Sequence, residues 1–180
     1  MEEQLDILNE KGEKTGETRN RQDAHLLGLL HRSVHVWFLN KEGQLLLQKR
    51  LKNMLACPRY WEISASGHVS AGQSSIEGAQ RETEEELGVS LPQSSFNFLF
   101  TIEQHYVLNE GTYINNEFAD VYLVHLDLNI SEFKIDSFEV EEIRWLDTKE
   151  FKKWIKEGKE LLTPHNGEYE MLLEYLSKNN

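Results

Sequence analysis

Apolar positions along this chain follow two different periods. Within residues 33–39, Val34, Val36 and Phe38 alternate with His35, Trp37 and Leu39. That pattern predicts a strand with both faces at least partly buried. Lys41-Glu42-Gly43 reads as a turn, and residues 45–49 as the returning strand. Further strands are predicted near 61–65, 96–104, 117–126 and 140–146. Residues 4–20 predict a hairpin, because Leu5, Ile7 and Leu8 lead into the turn-rich Asn9-Glu10-Lys11-Gly12. Residues 21–33 carry no clear period, 51–60 read as a loop, and 67–73 as a glycine-bearing loop.

The second period is helical. Ser74 suits an N-cap, Glu77 stands at the capping-box spacing, and Gly88 is placed to end the helix. At about 100° per residue, Ile76, Ala79, Thr83 and Leu87 form one apolar stripe. Helices are also predicted over 148–157 and 167–177. Pro58, Pro92 and Pro164 all fall between regular patterns, where proline is tolerated. Strands with interspersed helices imply a sheet covered on both faces.

The same helix carries a second stripe, Glu82, Glu85 and Glu86, while Glu77 and Glu84 point to solvent. Carboxylates at i, i+3 and i+4 repel one another. They make sense together if they hold a hard cation such as Mg²⁺, which takes oxygen ligands and keeps room for phosphate oxygens. The plainer reading is a solvated charged face.

Composition narrows the classes. The chain has 180 residues, 31 acidic against 19 basic, for a formal net charge of −12. That charge gains nothing from the counterion release that drives binding to nucleic acid polymers or anionic membranes. A lone cysteine, Cys57, excludes an intramolecular disulfide and predicts a reducing, cytoplasmic setting. The acidic start does not resemble a signal peptide. The length suits one domain over 1–180, with 1–32 as an N-terminal extension carrying the hairpin and 67–89 as the informative loop and helix.

That loop and helix fit a long pattern: glycine, five residues, Glu, seven residues, then Arg-Glu-aliphatic-any-Glu-Glu-any-Gly-aliphatic. Gly67, Arg81, Glu82, Glu85, Glu86, Gly88 and Val89 fall at the required spacing. The segment resembles the Nudix box. Gln73 departs from it in place of the first Glu, and Thr83 in place of an aliphatic residue. The resemblance implies an α+β class, an α/β/α sandwich with a mixed β-sheet. It also implies a Mg²⁺-dependent (or Mn²⁺-dependent) hydrolase that cleaves the pyrophosphate bond of a small diphosphate. Glu82, Glu85, Glu86 and the Gly67 carbonyl would hold metal, and Arg81 would orient the carboxylates. Glu139 is the first candidate for a distal catalytic carboxylate, with Glu117 and Glu142 behind it. Arg50, Arg32 and Lys49 are candidate phosphate-gripping residues. Trp37, Tyr60 and Trp61 either stack on a base or belong to the core, which is the plainer reading. Homodimers are common among such proteins.

The resemblance extends along the chain. Asp6, Gly12, Thr15-Gly16, Leu30-His31-Arg32, residues 44–50, Ser66-Gly67-His68 and 139–145 resemble the subgroup akin to isopentenyl-diphosphate isomerase. Asn115-Asn116-Glu117-Phe118 and Asn166-Gly167-Glu168-Tyr169 resemble plant Nudix hydrolases. The isomerase comparison would map His25, His31, His68 and Glu117 onto a metal site. It also puts Ser66 where the isomerases have a catalytic cysteine, and a hydroxyl is a poor substitute for a thiol. Asn115 replaces one isomerase ligand. The intact Arg-Glu…Glu-Glu set therefore favours hydrolysis. A nucleotide-binding module with weakened catalysis is a further alternative, supported only by Gln73, whose place in the pattern is the loop side of the site. For His25 and His31, ordinary structural hydrogen bonding is the plainer expectation.

Overall fold

The computed structural model describes residues 2–158, 160–165 and 167–179; Asn166, one residue of the plant-like segment, lies outside them. The predicted hairpin is present as β1 (Gln4–Leu8) and β2 (Lys14–Asn20). Residues without a clear period form a short helix, α1 (Arg21–Leu27). Asn20 caps it by accepting from the Asp23 amide, and Gly28 closes it in the left-handed conformation.

The main sheet contains β3 (His31–Leu39), β4 (Gln44–Arg50), β5 (Trp61–Glu62), β6 (Ala65–His68), β7 (Asn97–Leu108), β8 (Tyr113–His125) and β9 (Val140–Asp147). Its backbone order is β5-β4-β3-β8-β7, with β6 beside β3 and β9 beside β4. β3 and β8 run parallel and the other pairs antiparallel, so the sheet is mixed. α2 (Ser75–Leu87) covers one face; α3 (Thr148–Glu157) and α4 (Glu168–Asn179) cover the other. The expected α/β/α sandwich is thus observed.

Strand alternation assigns the two cores. Val34, Val36 and Phe38 pack with Ala79 and Leu87 of α2. Trp37 and Leu39 face Phe151, Trp154, Leu172 and Leu176. Each such buried large side chain contributes roughly 2 kcal/mol. Ala79, Thr83 and Leu87 of the predicted apolar stripe are fully buried.

The predicted strand at 61–65 is instead two strands that serve different neighbours. β3 and β4 pair only at Leu39↔Leu45 and then diverge, β5 staying with β4 while β6 crosses to β3. Ser64 stitches the gap: its Oγ donates to the Leu46 carbonyl (2.6 Å) and accepts from the Phe38 amide (2.8 Å). Gly67 and His68, expected in a loop, therefore lie in β6. Among the described residues, no helix is long and apolar enough to cross a membrane.

Candidate active site

A cavity opens where β3 and β4 part. β3 supplies Ser33 and His35, β4 Arg50, β5 Glu62, β6 Ser66 to His68, and α2 its acidic face. The capping box fixes the start of that helix: the Glu77 carboxylate accepts from the Ser74 amide (2.7 Å) and hydroxyl (2.6 Å).

Glu82 and Glu86 are buried, at 9% and 5% exposure, whereas Glu85 reaches solvent. Glu86 accepts from the Ser66 amide and from Gln48 Nε2, both at 3.0 Å. Arg81 binds Glu82 through Nη2 and Glu85 through Nη1, each at 2.8 Å, and donates to the His68 carbonyl at 2.7 Å. One guanidinium thus ties two carboxylates of α2 to the backbone of β6.

Burial is the largest influence on these carboxyls. It and the neighbouring Glu85 and Glu3 raise Glu82 to about 8, although Arg81 opposes the rise. Burial, Glu82 and Glu62 push Glu86 well above the usual carboxylate range. A divalent cation fits this donor set, since it would compensate buried like charges that Arg81, paired with Glu82, and Arg50, paired with Glu62, leave unbalanced, and the donors are hard oxygens.

A second cluster adjoins it. His25 Nε2 lies 3.0 Å from His68 Nε2, and Glu117 Oε1 lies 3.2 Å from Nε2 of both His31 and His68. The Nδ1 atoms of His31 and His25 face the carbonyls of Leu29 (2.7 Å) and Ile114 (3.3 Å). Backbone bonds on Nδ1 orient Nε2 inward, an arrangement common around metals. The two histidines are thus gathered with His68 around one buried carboxylate, which goes beyond the structural bonding expected of them. Glu117 is held well below the usual carboxylate range: burial acts against this, but the His31 and His68 hydrogen bonds and charges outweigh it.

The other candidates divide by strand parity. Arg50 lines the cavity, bonding Glu62 at 2.7 Å and the Ala56 carbonyl at 2.9 Å; Glu139 lines it too. Arg32 and Lys49 do not reach it. Each occupies the strand position that points away from its cavity-facing neighbours. Arg32 pairs with Asp120 (2.7 Å) and the Gly12 carbonyl, while Lys49 lies by Glu141 and over Trp61. Glu142 bonds Arg144. Trp37 and Trp61 are core residues. Gln73 lines a different depression, with Lys14, Arg32 and Asp120, so it is not on the cavity side where the sequence pattern had put it.

Sequence reasoning missed Glu3, Arg21, Glu62, Tyr106, Tyr113 and His165, all of which line the cavity. Glu3 and Arg21 arrive because the Gln4 carbonyl accepts from the Ala71 amide (2.7 Å), docking the hairpin on the α2 loop. No local pattern announces a contact of that range.

The NUDIX domain profile matches residues 29–165. The chain is 41% identical over 180 residues to Nudix hydrolase 3 of Arabidopsis thaliana, covering 97% of this chain but only 23% of that protein. It is 35% identical to an uncharacterized Nudix hydrolase of Listeria monocytogenes, covering 82% of each. Isopentenyl-diphosphate Delta-isomerase of Escherichia coli is 30% identical, over 81% of this chain and 77% of the isomerase. Among solved structures, DR0079 of Deinococcus radiodurans superposes with a TM-score of 0.71 at 21% identity, covering 98% of both chains.

Proposed function

The chain belongs to the Nudix family; we propose that it hydrolyses the pyrophosphate bond of a small organic diphosphate with Mg²⁺, at the cavity between α2 and β6. The observation that carries this is the buried pair Glu82 and Glu86, two carboxylates facing one cavity, of which Glu82 pairs with Arg81 and Glu86 accepts only from the neutral Ser66 amide and Gln48. Glu82, Glu86, Glu85 and the Gly67 carbonyl are the proposed metal donors.

When bound, the cation would neutralise diphosphate oxygens and acidify a water. The remaining work falls to this chain's own groups. Arg81 holds the acidic face in register with β6. Arg50 presents a cationic wall, its charge tied to Glu62. Glu139, on the cavity rim, is the proposed base that takes the proton of the attacking water. Tyr106 and Tyr113 add aromatic surface to the cavity lining for the organic moiety.

The histidine cluster favours a second reading, proton-transfer isomerisation of an isopentenyl-type diphosphate around a single metal. Ser66 weighs against it, because its hydroxyl would have to move a proton that a thiol moves more readily.

A panel of nucleoside diphosphate derivatives, dinucleoside polyphosphates and isopentenyl diphosphate, with Mg²⁺ or EDTA and with Glu86→Gln as control, separates the readings. Hydrolysed product that needs Mg²⁺ and Glu86 supports the hydrolase reading. An isomerised diphosphate with no hydrolysis would replace it by the isomerase. Ligand binding without turnover would leave the binding module.

A further inference from the structure

Beside the cavity lies a third group of ligating side chains that neither reading uses. His35 on β3, His165 in the turn before α4, and Glu168 at the start of α4 each offer one atom within 4.8 Å of the others. Glu168 is fully buried. Its Oε2 accepts from His35 Nδ1 at 2.6 Å, and its Oε1 from Trp37 Nε1 at 2.8 Å. His165 packs edge-on against His35, with ring centroids 4.8 Å apart, yet neither of its shielded ring nitrogens has a hydrogen-bond partner.

An imidazole carries one donor and one acceptor nitrogen, and withdrawing both from water without partners is costly. The ring also lines the cavity, as do His35, Ser33 and Thr163. Something that enters the cavity can therefore complete the site.

We propose that His35, His165 and Glu168 form a binding site for a borderline transition dication, Zn²⁺ foremost. Two imidazoles and a carboxylate suit Zn²⁺ better than Mg²⁺, which prefers oxygen donors and retains several waters. Three protein ligands leave a fourth position for a water or a substrate atom. Trp37 supplies the outer support, because its indole N–H holds the other oxygen of Glu168 and so fixes the carboxylate's orientation. The site is chemically distinct from the all-oxygen face of α2 and shares no residue with the cluster around Glu117. Its reading is metal content, so it stands apart from whether the chain hydrolyses anything.

The test loads the full chain with Zn²⁺, dialyses it against a weak chelator, and measures bound zinc by elemental mass spectrometry. Wild type, His165→Phe and His68→Phe are compared. His165→Phe keeps a ring but has no donor nitrogen. It should lose one equivalent of zinc, with affinity at that site weakened by at least ~100-fold, more than loss of an outer-shell partner costs. His68→Phe should keep that equivalent. Equal zinc content and affinity in wild type and His165→Phe would overturn the site. If His165→Phe fails to fold by circular dichroism, anomalous diffraction at the zinc edge from wild-type crystals decides: a peak bonded to His35, His165 and Glu168 supports the proposal, and peaks only elsewhere overturn it.

Discussion

Gly67 and Glu82 touch so closely that no side chain fits between them: a Cβ on Gly67 would sit 2.1 Å from the Glu82 carboxyl carbon. Gly67 has no left-handed backbone to justify a glycine. Its reason is clearance, since β6 must pass directly over a buried acid. Gly67→Ala should therefore push Glu82 aside with little effect on the strand. The expected result is a loss of turnover of at least ~100-fold, comparable to disturbing a metal ligand's support, with an ordinary circular dichroism spectrum. Turnover within a few-fold of wild type would show that the position of Glu82 does not matter.

Arg81 reaches three acceptors in different directions: Glu82, Glu85 and the His68 carbonyl. A lysine keeps the charge but not the fork. Arg81→Lys should lower kcat by ~10–100-fold with a smaller change in KM, because it positions the carboxylates and does not grip the substrate. A pure KM effect measured by steady-state kinetics would instead make Arg81 a substrate ligand.

Burial holds the Glu82 carboxyl at about 8, so near neutrality the metal-free site is partly protonated. A cation must displace that proton. Mg²⁺ affinity should accordingly rise as pH climbs from 6 to 8, by up to about tenfold per unit for one proton. Calorimetric titration in buffers of different ionisation enthalpy would count the protons released. Binding that is independent of pH, with no buffer dependence, would mean Mg²⁺ does not occupy this acid.

Much of this was legible in the sequence. The capping box, the acidic stripe and the glycine all have local spacings, and strand alternation assigned Val34 and Trp37 to opposite cores. What was not legible depends on long-range pairing. Strand 61–65 broke in two because β3 and β4 diverge at Ser64. Parity within a strand is readable in the sequence, but which face borders the cavity is not; on sequence alone Arg32 and Lys49 stand with Arg50, although they point away from the cavity. Gln73 illustrates the same limit, because spacing puts it in the box while the fold places it in a separate depression lined also by Lys14 and Asp120. Gln73→Glu should therefore change turnover by less than a few-fold. A large gain in kcat would show that the departure from the box does weaken catalysis.

His165 offers a test of its buried ring that needs no metal. Burial, followed by the neighbouring His35 charge, lowers its pKa to about 3. The unfolded chain takes up this proton near pH 6.5. A depressed folded value means that stability is fully present above pH 6.5 and drains away as pH falls toward 3. Other groups also titrate in that window, among them Glu82 and Glu86 with the opposite sign, so the slope of wild type alone is not diagnostic. The difference between wild type and His165→Phe isolates this ring. With a chelator present, that difference should move in the variant's favour as pH drops from 6.5 to 4, by up to about 1.4 kcal/mol per pH unit. Urea denaturation at several pH values measures it directly. A difference that stays constant across the window would mean the ring keeps its protons as it does in water, and that its nitrogens are not shielded in the folded protein.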